Sequence, residues 1–498
     1  MYKLMFFLLL GIPAMAQVKL PAIISDNMVL QQQSTVTLWG WAQPGEVVKV
    51  EGSWAKVDQT VKADVAGKWS VRVKTGKAGG PYTLRFNDVE VRNVLLGEVW
   101  LASGQSNMEF VVVRQSNNYT GVLNYQEEIA SANYPNIRMI DVKNKVADEP
   151  QEDFSGEWKV CSPQTVENFS AVAYYFAKEV LKETGYPVGI INSTWGGTPA
   201  ESWTKQEVLE NDKDFKVIMD RFRQQLAEYP VAIEKHKQVM EKWKADTSSK
   251  KGAAPREPMG PNNSKGPYKL YNGMIAPIVN YTLKGVIWYQ GESNSDRAYQ
   301  YRRLFPAMID SWRKDFKNED LPFYFVQISP HRGQSPEIRD AQFYTYRTVK
   351  HTGMVVTTDN GDSLDIHPRN KKVVGERLSR WALKNEYGKN ISVSGPLYSS
   401  YKVEGNKIRI SFDHTGDLAV QGGPLQEFAI AGNDQQFVPA QAQIEGKTVV
   451  VWSDAVSQPV AVRFAWRNFP HPNLFNKSGL PASPFKTDNW KQTTEGKN

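Results

Sequence analysis

The chain has 498 residues, too many for a single hydrophobic core, and 41% of them are apolar with fifteen Trp, which excludes a disordered chain. A formal net charge of +7 is small for this length, and basic and acidic residues are interspersed without a dense basic stripe, so there is no nucleic-acid footprint. Cys161 stands alone, which rules out an intrachain disulfide and points to a buried structural thiol.

Residues 1–16 read as an export signal. Lys3 supplies a positive start, Leu4–Ile12 a short apolar run, and Ala14-Met15-Ala16 a small-x-small cleavage site, leaving Gln17 as the mature N-terminus. The expected destination is the periplasm or the exterior. No run reaches the ~18 apolar residues that span a bilayer, so no integral membrane segment is expected. Residues 17–94 are expected to form a β-sandwich-like domain. Val36–Trp41, Val47–Val50, Trp69–Val73 and Tyr82–Phe86 are β-prone runs separated by turn signals such as Pro44-Gly45 and Gly79-Gly80-Pro81. Trp39, Trp41, Trp54 and Trp69 are assigned to packing in preference to a sugar platform.

From 95 to 395 the period changes. Leu95–Gly104 reads as a buried strand that ends in a turn of small polar residues around Ser106. A helix follows between a Ser170 cap and a Gly185 stop, then a strand from Pro187 to Trp195. Further strands are expected at Leu283–Trp288, Phe323–Ser329 and Met354–Thr358. Between and after them come helices at Ala298–Phe316, Ile338–Lys350 and from an Asn370 cap to Asn385. Strand, loop and helix in alternation mean βαβ units, an α/β fold with a parallel sheet covered on both faces. A Lys-, Glu- and Gln-rich insertion at about 205–267 reads as a charged helix and a loop, a solvated excursion in preference to a lid. Residues 396–498 return to a β pattern and end in a tail anchored by aromatics.

A serine hydroxyl is a weak nucleophile until a base takes its proton and a third group orients that base. Of the six His, His236, His351 and His414 read as solvated. His367 follows the fourth strand at the same sheet end as Ser106, and Pro368 fixes its exit from the loop. Its imidazole, with an ordinary pKa of ~6.5, suits a base near neutrality. Asp365, two residues earlier, or Asp362 would hold the other ring nitrogen. Ester hydrolysis also needs donors for an oxyanion. Gly196 and Gly197 expose backbone N–H groups after one strand; Gln290 and Asn294 carry amides after another. No His, Cys and carboxylate cluster has metal-ligand spacing, so neither metal nor other cofactor is expected.

The Ser106 turn, the Trp-Gly-Gly-Thr-Pro-Ala-Glu-Ser-Trp run at 195–203, the Gln-Gly-Glu-Ser-Asn loop at 290–294 and Asp365-Ile-His-Pro368 together resemble the sialate O-acetylesterase family of SGNH hydrolases. Tyr271–Pro277 and Leu480–Phe485 extend the resemblance over nearly the whole mature chain. It implies an SGNH, flavodoxin-like three-layer sandwich with a parallel sheet, flanked by N- and C-terminal β-sandwich-like regions. It implies Ser106 as nucleophile, His367 as base and Asp365 as acid. SGNH enzymes usually place the acid three residues before the His, where this chain has Leu364, so Asp362 stays open beside Asp365. The oxyanion donors would be Ser106, Gly197, Gln290 and Asn294. The substrate would be an O-acetylated sugar, sialic acid first and acetylated xylan second; the alternative of another class is a catalytically inactive carbohydrate-binding protein. Arg297 is the candidate to meet a sialic acid carboxylate. Gly361-Asp362-Ser363-Leu364 matches another SGNH motif literally, but it lies in the histidine loop and is taken as accidental.

Overall fold

A computed structural model describes residues 18–54, 57–116, 119–248 and 252–498. The export signal expected at 1–16 lies outside the described residues.

The strand Val89–Gly104 organises the molecule. Residues 94–104 are buried without a break, the pattern of a strand covered on both faces. Its first half pairs antiparallel with Gly79–Phe86 and parallel with Val29–Gln31. Its second half pairs in parallel with Val188–Thr194 on one side and Gly285–Tyr289 on the other. Across the sheet the order is Thr352–Val355, Phe323–Val326, Gly285–Tyr289, Val89–Gly104, Val188–Thr194, Tyr134–Asp141, Trp158–Cys161. Neighbours are parallel except the last pair, which is antiparallel. The expected parallel sheet is therefore the centre of a larger mixed one. The additions are the antiparallel Trp158–Cys161 edge and the N-terminal strands, antiparallel except for Val29–Gln31, which join through one continuous strand that crosses residues 94 and 95.

Helices cover this sheet because its aromatics point both ways. Trp100 pairs with Gly285, and Trp288 with Ser103. Side chains alternate along a strand, so Trp100 and Trp288 face opposite sides. Trp100 meets Phe176 of the helix Ala171–Thr184 with ring centroids 5.0 Å apart. Trp288 meets Trp312 and Phe305 of the helix Ala298–Asp315 at 5.6 and 6.0 Å. Position 285 must be glycine, since a Cβ there would sit 2.4 Å from the Trp100 ring. Caps appear where expected. Ser170 Oγ accepts the Ala173 N–H at 3.3 Å, and Asn370 Oδ1 accepts the Val373 N–H at 3.4 Å.

The N-terminal residues share one apolar core with the central sheet, including Trp39, Trp54 and Trp69. The C-terminal region builds its own around Ile408, Ile410, Phe428, Val449 and Phe464, between separate antiparallel sheets. In the insertion, Lys213–Ala245 is one helix whose buried residues, Phe215, Ile218, Met219 and Phe222, all lie in its first third. Among the described residues no helix is long and apolar enough to cross a membrane.

Candidate active site

Strand order reverses at Val89–Gly104: earlier-following strands lie on one side of it, later ones on the other. Open α/β sheets bind ligands in the crevice this leaves at the carboxyl ends. Ser106 stands there, 7% exposed, at the start of the short turn Ser106–Glu109. Gly104 makes the approach possible. Its φ is +135°, and a Cβ would fall 2.2 Å from the Tyr289 carbonyl oxygen of the neighbouring strand end. The Gln105 N–H donates to that same oxygen at 3.0 Å, and Gln105 Oε1 accepts the Ser293 N–H at 3.2 Å. The serine turn is thus tied to the next loop on both of its edges.

His367 arrives from a loop more than 250 residues later in the chain, and its Nε2 lies 2.9 Å from Ser106 Oγ. Asp365 Oδ1 accepts the His367 backbone N–H at 2.8 Å and lies 3.6 Å from Nδ1. Asp362 turns the other way: its Oδ1 accepts the N–H groups of Leu364 and Asp365 at 2.8 and 3.1 Å, which holds its carboxyl below the usual range. The structure brings Asp365 to the imidazole and uses Asp362 to shape the loop. Tyr119 stacks on the His367 ring at 5.2 Å and 21°, and its hydroxyl donates to Glu109 at 3.2 Å. Arg377 grips Asp359 with two bonds of 2.7 Å, fixing where the loop begins.

The third wall is the glycine loop. The Gly196 N–H donates to Glu109 Oε2 at 2.9 Å, and a Cβ on Gly196 would lie 3.3 Å from Ser106 Cβ. Burial pushes the Glu109 carboxyl up, although the bonds from Tyr119 and Gly196 oppose this. Gly197 has φ +71°. Among the described residues no acceptor takes the N–H of Ser106 or of Gly197. Gln290 and Asn294 behave differently. Gln290 Nε2 donates to Asn294 Oδ1 at 2.7 Å and to the Thr198 carbonyl at 3.3 Å, and Tyr301 donates to its Oε1 at 3.1 Å. Asn294 Oδ1 also accepts the Ala200 N–H at 2.9 Å, and its Nδ2 donates to Glu201 at 2.8 Å. Both amides are engaged with the segment that carries Gly197 onward, and both N–H groups of Gln290 are taken. Arg297 donates to Glu201 at 2.7 Å.

One network here had no counterpart in the sequence reasoning. Asn107 Nδ2 donates to Glu292 Oε1 at 2.6 Å and to the Ile366 carbonyl at 3.0 Å, while Lys371 Nζ donates to Asn107 Oδ1. It staples the serine turn to the histidine loop. Lys371 is fully enclosed, 4.6 Å over the Phe110 ring, and burial drives its ammonium down to about 7; burial drives Glu292 up. The only available signal was the place of Asn107 beside Ser106. Lys371 follows a helix cap and reads as a surface residue. His414, expected to be solvated, instead packs edge-on against Trp381 with Nε2 3.0 Å from the Tyr346 hydroxyl. Cys161 is buried, and its thiol is pushed up to about 12, a structural role. Among the described residues no group of three or more His, Cys, Asp or Glu is placed to hold a metal ion.

A family model for carbohydrate esterases, sialic acid-specific acetylesterase, matches residues 96–241 and 258–384. Sialate O-acetylesterases of Pongo abelii and Homo sapiens are each 29% identical to this chain, over 93% of it and 91% of their own length. The crystal structure of a carbohydrate acetylesterase from Xanthomonas citri superposes with a TM-score of 0.81 at 36% identity, covering 95% of this chain and 100% of that one.

Proposed function

Because the chain belongs to the sialic acid-specific acetylesterase family of carbohydrate esterases, and is a carboxylic ester hydrolase, we propose that it removes O-acetyl groups from sialic acid through an acetyl-serine on Ser106. His367 Nε2 takes the Ser106 proton as Oγ attacks the acetyl carbonyl. The N–H groups of Ser106 and Gly197 receive the oxyanion, in a loop that Gln290 and Asn294 hold in place. His367 then protonates the departing sugar oxygen. A water activated by the same imidazole attacks the acetyl-serine, acetate leaves, and Oγ regains its proton. Asp365 orients the ring and stabilises the imidazolium. The observation that carries this reading is the 2.9 Å separation of Ser106 Oγ and His367 Nε2. The same pair argues against a catalytically inactive binding protein.

The opposite-facing Trp100 and Trp288 clusters support a three-layer, SGNH-type core, and the separate apolar cluster of the C-terminal region supports a small sandwich there. The residues at 1–16 support export, which N-terminal sequencing of the mature protein at Gln17 would check.

The deciding experiment is acetate release from O-acetylated sialic acid and from acetylated xylan, side by side, with wild type and Ser106→Ala. Sialic acid is expected to be the better substrate and the variant inactive on both. A better rate on xylan removes the sialic acid assignment; surviving activity in Ser106→Ala removes the nucleophile.

A further inference from the structure

A chamber of about 470 Å³ opens beside Gly197, within the size range of small-ligand pockets. It adjoins the ester site on two sides. Gly197 follows the glycine that touches Ser106, and Ser293, also on its wall, is held by the residue preceding Ser106. Its far wall comes from the insertion: Arg221 on the long helix, then Arg256 and Lys265 on the loop that returns to the core. The Lys265 side chain passes 4.0 Å from where a Gly197 Cβ would be, so this cation stands at the junction of chamber and ester site.

The charge here is unbalanced. Glu201 is buried and is matched by Arg297, which also approaches Asp296 at 3.6 Å. Arg221 reaches Glu201 only at 4.0 Å. Among the described residues neither Arg256 nor Lys265 has a carboxylate within ion-pair distance. Asn498 reaches the rim as well, and counting a carboxylate there still leaves more cations than anions. Arg221 is partly buried on this wall while Arg256 and Lys265 are exposed, and an arginine so placed suits a planar, bidentate anion.

We infer that this chamber is a carboxylate subsite: Arg221, backed by Arg256 and Lys265, holds the acid group of an anionic acetylated sugar while its ester lies at Ser106. The inference rests on the esterase reading for the position of the ester, but the chamber itself is tested by binding. Arg297, which the sequence suggested for this task, is occupied by Glu201; the insertion supplies the recognising cation instead. The charged segment at 205–267 is then part of the substrate site, and neutral acetylated sugars gain nothing from it.

The test uses the full chain carrying Ser106→Ala, titrated calorimetrically with sialic acid and with its carboxyl methyl ester. A charge-assisted contact predicts that the acid binds about tenfold or more tightly than the ester. Adding Arg221→Gln should bring the two affinities within about threefold, Arg221→Lys should keep only part of the preference because a lysine cannot bond a carboxylate bidentately, and Arg256→Gln with Lys265→Gln should reduce it partly. No measurable binding of the acid, equal binding of acid and ester, or a preference untouched by Arg221→Gln overturns the subsite. Hydrolysis of an aryl acetate by wild type reports separately on the esterase reading, since that substrate carries no carboxylate.

Discussion

The serine turn and the histidine loop meet at the Ser106–His367 pair and at the Asn107–Ile366 bond, but they are built in opposite ways. Ser106 is delivered by a buried strand whose end is locked to its neighbour by Gly104, Gln105 and the Tyr289 carbonyl. His367 sits on a loop whose tip is open to solvent, with Leu364 72% exposed. That loop is fixed by side chains: Arg377 on Asp359, Asp362 and Asp365 on backbone N–H groups, Tyr119 against the ring, Asn107 on the Ile366 carbonyl. Ser106 is positioned by main chain and His367 by polar side chains. Substitutions around Ser106 should therefore act on folding, and substitutions around His367 on rate.

That contrast vanishes only at the reacting atoms. Ser106→Ala and His367→Ala should each lower kcat by at least about 10³-fold on an aryl acetate, with far-UV circular dichroism unchanged, because a serine and its base act as a unit. Unequal losses of more than a few tens-fold would mean another base serves Ser106. One step back, the two sides part. Gly104→Ala places a Cβ into the Tyr289 carbonyl at positive φ and should cost at least ~2 kcal/mol of stability in urea unfolding. An unaltered midpoint would show that the strand ends can separate freely. On the loop side, Asp365→Asn should slow turnover by about 10- to 100-fold at near-constant Tm, and Asp362→Asn by less than about threefold. The reverse order would transfer the acid's role to Asp362.

A pH-dependent effect probes the network between the two sides. Lys371 titrates at about 7 in the folded chain, below its ordinary 10.5, so between those values the unfolded state binds the extra proton. Stability then rises with pH across that window and falls as pH drops towards 7. Relative to Lys371→Met, wild type should gain in Tm from pH 7 to pH 10; a constant difference would mean that Lys371 is not desolvated.

Much of this was legible from residues close together in sequence. The strand before Ser106, the caps at Ser170 and Asn370, and the glycines at 196 and 197 each follow from local chemistry. The Lys371–Asn107 contact spans 264 positions, and no pattern in either neighbourhood announces it. The orientation of the Gln290 and Asn294 amides was equally hidden. It is set by Thr198, Ala200 and Glu201 on a different loop, which only the folded chain brings near. The edge strand Trp158–Cys161 has four residues and no alternation to detect. The long helix of the insertion was visible from its charge, but the direction in which Arg221 faces was not.

The single strand running from the N-terminal β region into the catalytic sheet bears on how such proteins are assembled and cut. A fragment beginning at residue 95 would keep the serine but lose the pairing of Gly79–Phe86 and Val29–Gln31 along the strand that delivers it. The front of the molecule is therefore not an exchangeable cassette, and the rear, although it has its own apolar cluster, is bound to the central sheet region by Glu337 on Thr493 and Thr494 and by Gln327 on Ser483.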